Sequence, residues 1–372
     1  MRILSVFGTR PETIKMAPVV SRLKEVRGIE SFVCVTGQHR QMLDPFMSLF
    51  QIKADYDLNI MRPGQSLTEI TTSVLTGLKK VLIEVKPDLL LVQGDTTTAF
   101  AGALAAFYEK IRVGHVEAGL RTGNLRMPWP EEMNRKLITS IAETHFAPTN
   151  GSRANLVKEG VREGAIFVTG NTVIDALFYT LDQFKKKPEL KTNRFDFLDP
   201  KRRLILVTGH RRENFGEGIA AICRSLHRLS KRDDVQIVYP VHLNPNVQEP
   251  VRSILGTRDN IHLIEPLDYL DFVFLMDLAY LILSDSGGVQ EEAPSLGKPV
   301  LVTREVTERP EAVEAGTVIL VGTDEEKIVR ETEKLLDDPA CYLKMAQAHN
   351  PYGDGHAALR IVQEIVNDET SV

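Results

Sequence analysis

Short apolar runs, each ending in a polar or glycine-rich turn and followed by a helical pattern, recur along the whole chain. They begin as RILSVF from Arg2, SFVCVTG from Ser31, LLLVQG from Leu89, RVGHVEA from Arg112 and HFAPT from His145. They continue as AIFVTG from Ala165, LILVTGH from Leu204, QIVYPVH from Gln236, IHLIEP from Ile261, YLILSDSGG from Tyr280, PVLVT from Pro299 and TVILVG from Thr317. Several are β-branched and do not alternate with polar residues, as expected of parallel strands buried on both faces. Helical stretches such as SLTEITTSVLTGLKKVLIEV, from Ser66, lie between them. This alternation predicts an α/β fold of doubly wound, Rossmann-like parallel sheets.

At 372 residues the chain is long enough for two separate cores. The polar, lysine-rich stretch LDQFKKKPELKTNRFDFLDPKRR, from Leu181, breaks the pattern before a fresh strand at Leu204. We therefore expect an N-terminal domain over residues 1–170, joined by the terminal helix in 353–372, and a C-terminal domain over 171–352. Ligands of such folds bind at the carboxyl ends of the strands, and a second domain facing them makes a central cleft. The net charge of −5 argues against nonspecific nucleic-acid binding. No apolar run reaches membrane-spanning length, and the opening MRILSVF is a strand rather than a signal peptide. Cys34, Cys223 and Cys341 are isolated, without metal-ligand spacing, which predicts no disulfide framework and a reducing cytoplasm.

The strand ends carry the chemistry. In FGTRPETIKMAP, Gly8 permits a tight turn and Pro11 suits a first helical turn, so Arg10 and Lys15 face an anion or are simply solvated cations. In SDSGGVQEEAPSLGKP, Ser286, Gly287 and Gly288 present a hydroxyl and backbone N–H groups at a helix start, either a cradle for a diphosphate or simply a capped helix with an acidic first turn. Glu292, one turn on, suits a ribose diol. VTGHRRENFGEG opens the second domain with His210, Arg211 and Arg212, where the imidazole holds a phosphate or protonates a leaving group. Gln38, His39, Arg40 and Gln41 follow a strand in TGQHRQML without a role that chemistry alone assigns. The window from Gly94 to Lys136 gathers Asp95, Glu117, Glu131 and Glu132 beside His115, Arg121 and Arg135. Asp95 reads equally as an N-cap, and Glu131 and Glu132 as favourable first-turn acids. Glu117, between an apolar strand and a glycine, is harder to explain that way, and together these acids point to proton transfer.

These segments, with GHVEAGLRTGN, PEEMNRK, YPVHLNPNV and the extension of the Ser286 segment to TREVTERPEAVEAGT, span nearly the whole chain. In kind and order they resemble the non-hydrolysing UDP-N-acetylglucosamine 2-epimerases. The resemblance implies a glycosyltransferase-B-like pair of Rossmann-like domains with the nucleotide sugar between them, and a homodimer. It assigns Asp95, Glu117 and Glu131 as acid/base carboxylates and His210 to the departing diphosphate. It assigns Arg10, Lys15, Ser286, Gly287, Gly288, Glu292 and Arg309 to the substrate and sets Phe272 beside the uracil. Leu267 stands where relatives can carry Gln. Gln38, Gln41, Arg211 and His242 match parts of a second site at which some bacterial members bind an activating UDP-N-acetylglucosamine, and Arg62 approximates a further arginine of that site.

The implied reaction is reversible C2 epimerisation to UDP-N-acetylmannosamine, through elimination of UDP to 2-acetamidoglucal and re-addition. It needs no metal or other cofactor, and no nucleic-acid or membrane partner. A hydrolysing 2-epimerase, a UDP-sugar glycosyltransferase of the same fold and a noncatalytic nucleotide-sugar sensor are the alternatives.

Overall fold

The computed structural model describes residues 1–37, 47–62, 64–187, 193–256 and 258–369. Two compact units divide the chain, Met1–Ala176 with Tyr352–Val372, and Leu177–Pro351. The division falls inside the helix Thr172–Lys186.

The first unit is built on a parallel sheet of β1 (Arg2–Phe7), β2 (Glu30–Val35), β3 (Tyr56–Asp57), β4 (Leu89–Gln93), β5 (Arg112–Val116), β6 (Thr144–Ala147) and β7 (Ile166–Val168), in the order β3-β2-β1-β4-β5-β6-β7. The chain winds outward from β1 to β3, then returns to the other side of β1, where Ile3 pairs with Leu89 and Ser5 with Leu91. This reversal puts the crossover helices on both faces, so every residue of β4 is buried. Leu4, Val6, Leu90 and Val92 pack with Val74 and Leu78 of the helix Leu67–Val85. That helix starts where the sequence places it: Ser66 Oγ accepts from Glu69 N–H at 3.3 Å, and Glu69 Oε2 accepts from Ser66 N–H at 2.8 Å.

The second unit repeats the plan with β8 (Arg203–Thr208), β9 (Val235–Pro240), β10 (Ile261–Ile264), β11 (Leu281–Ser284), β12 (Val300–Val302) and β13 (Val318–Leu320), in the order β10-β9-β8-β11-β12-β13. Its order reverses between β8 and β11, where Leu281 pairs with Ile205 and Ser284 with Thr208. Ile205, Ile237 and Leu283 pack with Ile222 and Leu226 of the helix Glu217–Leu229. The α/β class and the parallel sheets are those expected. The two-residue strand β3 was not anticipated, because so short an edge carries no periodic signal. Among the described residues no helix is long and apolar enough to cross a membrane.

At the first reversal the backbone passes very close to its neighbours. A Cβ on Gly8 would lie 1.9 Å from Thr36 Oγ1 and 2.9 Å from Thr98 Oγ1. Gly8→Ala must push these loops apart and should destabilise the protein by about 1–3 kcal/mol. Urea denaturation measures this; an unchanged midpoint would mean that the contact relaxes freely.

Candidate active site

The carboxyl ends of β1, β4 and β5 bring together most of the acids singled out in the sequence. Glu12, in the helix Arg10–Glu25, turns back over the strand end and is 1 % exposed. Its Oε2 accepts from Gly8 N–H at 3.0 Å and Thr9 N–H at 2.7 Å, and its Oε1 accepts from the Thr96 hydroxyl at 2.6 Å. One carboxylate thus ties the turn bearing Arg10 to the turn bearing Asp95. Burial pushes its pKa up, against the pull of these donors. The Arg10 side chain is exposed and makes no hydrogen bond or ion pair among the described residues.

Glu117 follows β5 with φ of +63°, a left-handed conformation that few side chains adopt. The residue is 8 % exposed. Lys15 Nζ donates to Oε1 at 2.5 Å, Asn171 Nδ2 donates to the same oxygen at 3.1 Å, and Gln93 Nε2 donates to Oε2. Lys15 is therefore no solvated cation, and Glu117 is aimed by three side chains from three elements.

Asp95 is not an N-cap. Thr96 caps the helix Thr97–Tyr108, its Oγ1 accepting from Ala99 N–H at 3.0 Å, which leaves the Asp95 carboxylate to Arg135. Arg135 reaches Asp95 Oδ2 with Nε at 2.9 Å and a terminal nitrogen at 2.7 Å. Arg135 is held in turn by Glu132 at 3.0 Å. Glu132 is fully buried and also accepts from Thr122 and Gly123 N–H, each at 3.1 Å, so it is a brace rather than a surface acid. Glu131 opens the helix Glu131–Ile141 half-buried, and its Oε2 is shielded from water without a hydrogen-bond donor among the described residues. Arg121 serves structure, pairing with Glu159 at 2.7 Å. His115 Nε2 lies 2.7 Å from Gly94 O; a carbonyl only accepts, so the ring donates from Nε2. Burial pushes its pKa down to about 3, which keeps that ring neutral.

In the second unit the candidates gather at the carboxyl ends of β8 and β11. His210 is nearly half exposed, and its Nδ1 lies 3.3 Å from Asp285 Oδ1. Its ring stacks with that of His242, centroids 5.9 Å apart. Burial pushes the His210 pKa down, Asp285 pulls it up, and Arg211 and His242 push it further down. Ser286 stands at the N-cap of the helix Gly287–Glu292, with Gly287 and Gly288 as its first residues. A Cβ on Gly287 would lie 2.6 Å from Arg309 Cζ, so glycine lets the guanidinium lie against the turn. Arg309 Nε donates to Glu291 Oε1 at 2.8 Å. Glu292 Oε1 accepts from the Tyr269 hydroxyl at 2.8 Å. Phe272 lies three positions beyond Tyr269 on the helix Tyr269–Leu278, half-buried, and Leu267 precedes that helix's N-cap, Asp268. Gln38 and Gln41 lie outside the described residues, and Arg62 is exposed.

Sequence reasoning missed Glu12, Gln93, Asn171, Tyr269 and Asp285. Asp285 carries the signal used for Glu117, an acid at the end of an apolar strand; the others become visible only through their partners. Among the described residues no group of three or more His, Cys, Asp and Glu side chains could hold a metal ion. The first unit offers carboxylates suited to moving protons, and the second offers hydroxyl, N–H, guanidinium and imidazole donors suited to a diphosphate.

Residues 21–366 match the family model described as UDP-N-acetylglucosamine 2-epimerase. The chain is 60% identical over 376 residues to the UDP-N-acetylglucosamine 2-epimerase of Yersinia pestis, covering 100% of both chains. It is 59% identical over 377 residues to that of Escherichia coli K12, again covering 100% of both. Among solved structures it is similar to the UDP-GlcNAc 2-epimerase of Neisseria meningitidis bound to UDP-GlcNAc, with 54% identity, a TM-score of 0.91, and coverage of 99% of this chain and 100% of that one.

The brace at the first reversal is directly testable. Glu12→Ala strands two buried N–H groups and should cost on the order of 2–4 kcal/mol of stability in urea unfolding. Glu12→Gln should recover most of the loss, because its amide oxygen accepts the same N–H groups while its NH2 meets Thr96 Oγ1. Equal losses for both variants would remove the hydrogen bonds as the cause.

Proposed function

The chain belongs to the UDP-N-acetylglucosamine 2-epimerase family, and from that premise we propose that it interconverts UDP-N-acetylglucosamine and UDP-N-acetylmannosamine without net hydrolysis. The observation that carries the reading is the contrast between the two strand-order reversals. Asp95, Glu117 and Glu131 stand at or beside the first, and His210 with the Ser286-Gly287-Gly288 turn at the second.

The sugar's C2 proton is not flanked by a carbonyl, so enolate chemistry is closed to it. A carboxylate instead takes that proton while the C1–O bond to UDP breaks and the C1=C2 bond of 2-acetamidoglucal forms. In the return step a proton reaches the opposite face of C2, and the UDP oxygen re-forms its bond to C1. Asp95, Glu117 and Glu131 are the acid/base groups in this reading. The orientation of Glu117 by Lys15, Gln93 and Asn171 supports its share in the work. Ser286, Gly287, Gly288 and Arg309 hold the diphosphate with His210, Arg10 and Lys15 add substrate contacts, Glu292 takes the ribose, and Phe272 lies beside the base. Arg211 and His242, next to His210, belong to the activator contacts. A homodimer is part of the proposal, checked by light scattering; the three free cysteines support a reducing, cytoplasmic setting.

Incubation with UDP-N-acetylglucosamine in deuterated water tests the reading. Deuterium at C2 of recovered UDP-sugar is expected. Net release of UDP with free sugar points to hydrolysis, product only with an added acceptor to a transferase, and binding without turnover to a sensor. Glu117→Gln should bind UDP by calorimetry at near wild-type affinity and lose at least about 10²-fold in C2 exchange. Exchange at the wild-type rate would remove Glu117 from the mechanism.

A further inference from the structure

Asp285 is completely buried at the end of β11, directly before the Ser286 turn. Its Oδ2 accepts from His210 N–H at 2.9 Å, from Arg211 N–H at 2.8 Å and from Asn214 Nδ2 at 3.4 Å. Three N–H donors meet one oxygen, and the other oxygen, Oδ1, lies 3.3 Å from His210 Nδ1 and receives no hydrogen bond from the described residues. The strand ends beneath are joined as well: the Thr208 and Ser284 hydroxyls meet at 2.6 Å, and Asp285 N–H donates to Thr208 O at 3.3 Å. A buried carboxylate with one oxygen spent on a loop backbone and the other facing an imidazole is placed to set the ring's tautomer and charge.

We propose that Asp285 is a positioning residue for the epimerisation, acting through His210: it holds the His210–Arg211 backbone in place and fixes the ring proton on Nδ1. Nε2 is then the nitrogen that serves the substrate, and it donates to the diphosphate only when the ring is cationic, a form that the facing carboxylate stabilises. As UDP departs, charge gathers on its oxygens and the Nε2–H of the imidazolium meets it; as UDP returns, the contact is released without a change in the ring's place. The charged and titratable groups that act on His210 are Asp285, Arg211 and His242, and of these only Asp285 favours the cation. Asp285, 75 residues beyond His210 in the sequence, thereby links the imidazole to the Ser286 turn.

The kinetic side of this inference rests on the epimerase reading; the structural side does not, and the experiment separates them. In wild-type enzyme, nitrogen-15 NMR of labelled histidine, with His210 assigned by its loss in His210→Asn, should report the Nδ1–H tautomer at pH above the ring's transition to cation. The Nε2–H tautomer would overturn the proposal without any change at Asp285. Asp285→Asn keeps an acceptor for the loop N–H groups; it should lower the His210 pKa and move the alkaline limb of the kcat–pH profile to lower pH. It should also cut kcat for C2 deuterium incorporation by about 10²-fold, with KM changed far less. Added to His210→Asn, it should cost no more than about twofold further, since its target is gone. An equal loss in both backgrounds, or an unmoved His210 titration, means that Asp285 acts elsewhere. Full turnover by His210→Asn removes His210, and Asp285 with it, from the reaction even where the tautomer is as expected.

Discussion

A parallel sheet whose strand order reverses beside its first strand sends two loops apart at the carboxyl ends of the central pair, with backbone N–H groups that the sheet cannot use. Both units close this gap with a buried carboxylate. Glu12 takes Gly8 and Thr9 N–H at the β1/β4 reversal, and Asp285 takes His210 and Arg211 N–H at the β8/β11 reversal. Burying a carboxylate costs several kcal/mol, and each hydrogen bond to a charged group returns roughly 1.5–3 kcal/mol, so such an anion is stable only with several donors around it. The reversal supplies them. The loops that carry the candidate chemistry are therefore set by carboxyl groups that water does not reach.

The two braces differ in what is left over. Glu12 spends both oxygens on structure, the second on the Thr96 hydroxyl beside Asp95. Asp285 spends one, and the other faces an imidazole. The same sorting holds across the acid-rich window. Glu132 is fully buried and braces a loop and Arg135; Arg135 in turn holds Asp95, which is partly open to solvent. The enclosed Glu12 and Glu132 fix positions, and through Arg135 Glu132 also fixes that of the Asp95 carboxylate.

The fold was largely legible because buried parallel strands are continuous apolar runs, and LLLVQG and LILVTGH need no partner to be recognised. The helix after Ser66 was legible for a local reason, since its capping pair lies within three residues. The candidate site was legible as a set of segments but not as a set of roles. Glu131 and Glu132 are chemically identical neighbours, and only the tertiary contacts make one a brace and leave the other with a carboxylate oxygen that no donor among the described residues meets. The N-cap reading of Asp95 failed because Thr96 competes for the same duty and its shorter side chain lies at the cap. Asn171 was invisible for a further reason: its partner Glu117 lies 54 residues away, beyond any local pattern.

Glu117 shows what such positioning costs. A left-handed backbone strains a residue with a Cβ by about 1–2 kcal/mol, and a glycine at φ of +63° would carry almost none of that strain. The backbone therefore does not ask for glutamate; the side chain's surroundings do. Lys15 comes from the helix after β1, Gln93 from the end of β4 and Asn171 from the segment after β7, so the carboxylate is where three separate connections of the first unit meet. With donors on both oxygens the group has little rotational freedom, and the entropy of ordering it is lost on folding rather than at each binding event. Strain in the backbone and convergence on the side chain are two aspects of one arrangement: the turn bends the wrong way for a glutamate because that is the direction in which its carboxylate meets all three partners.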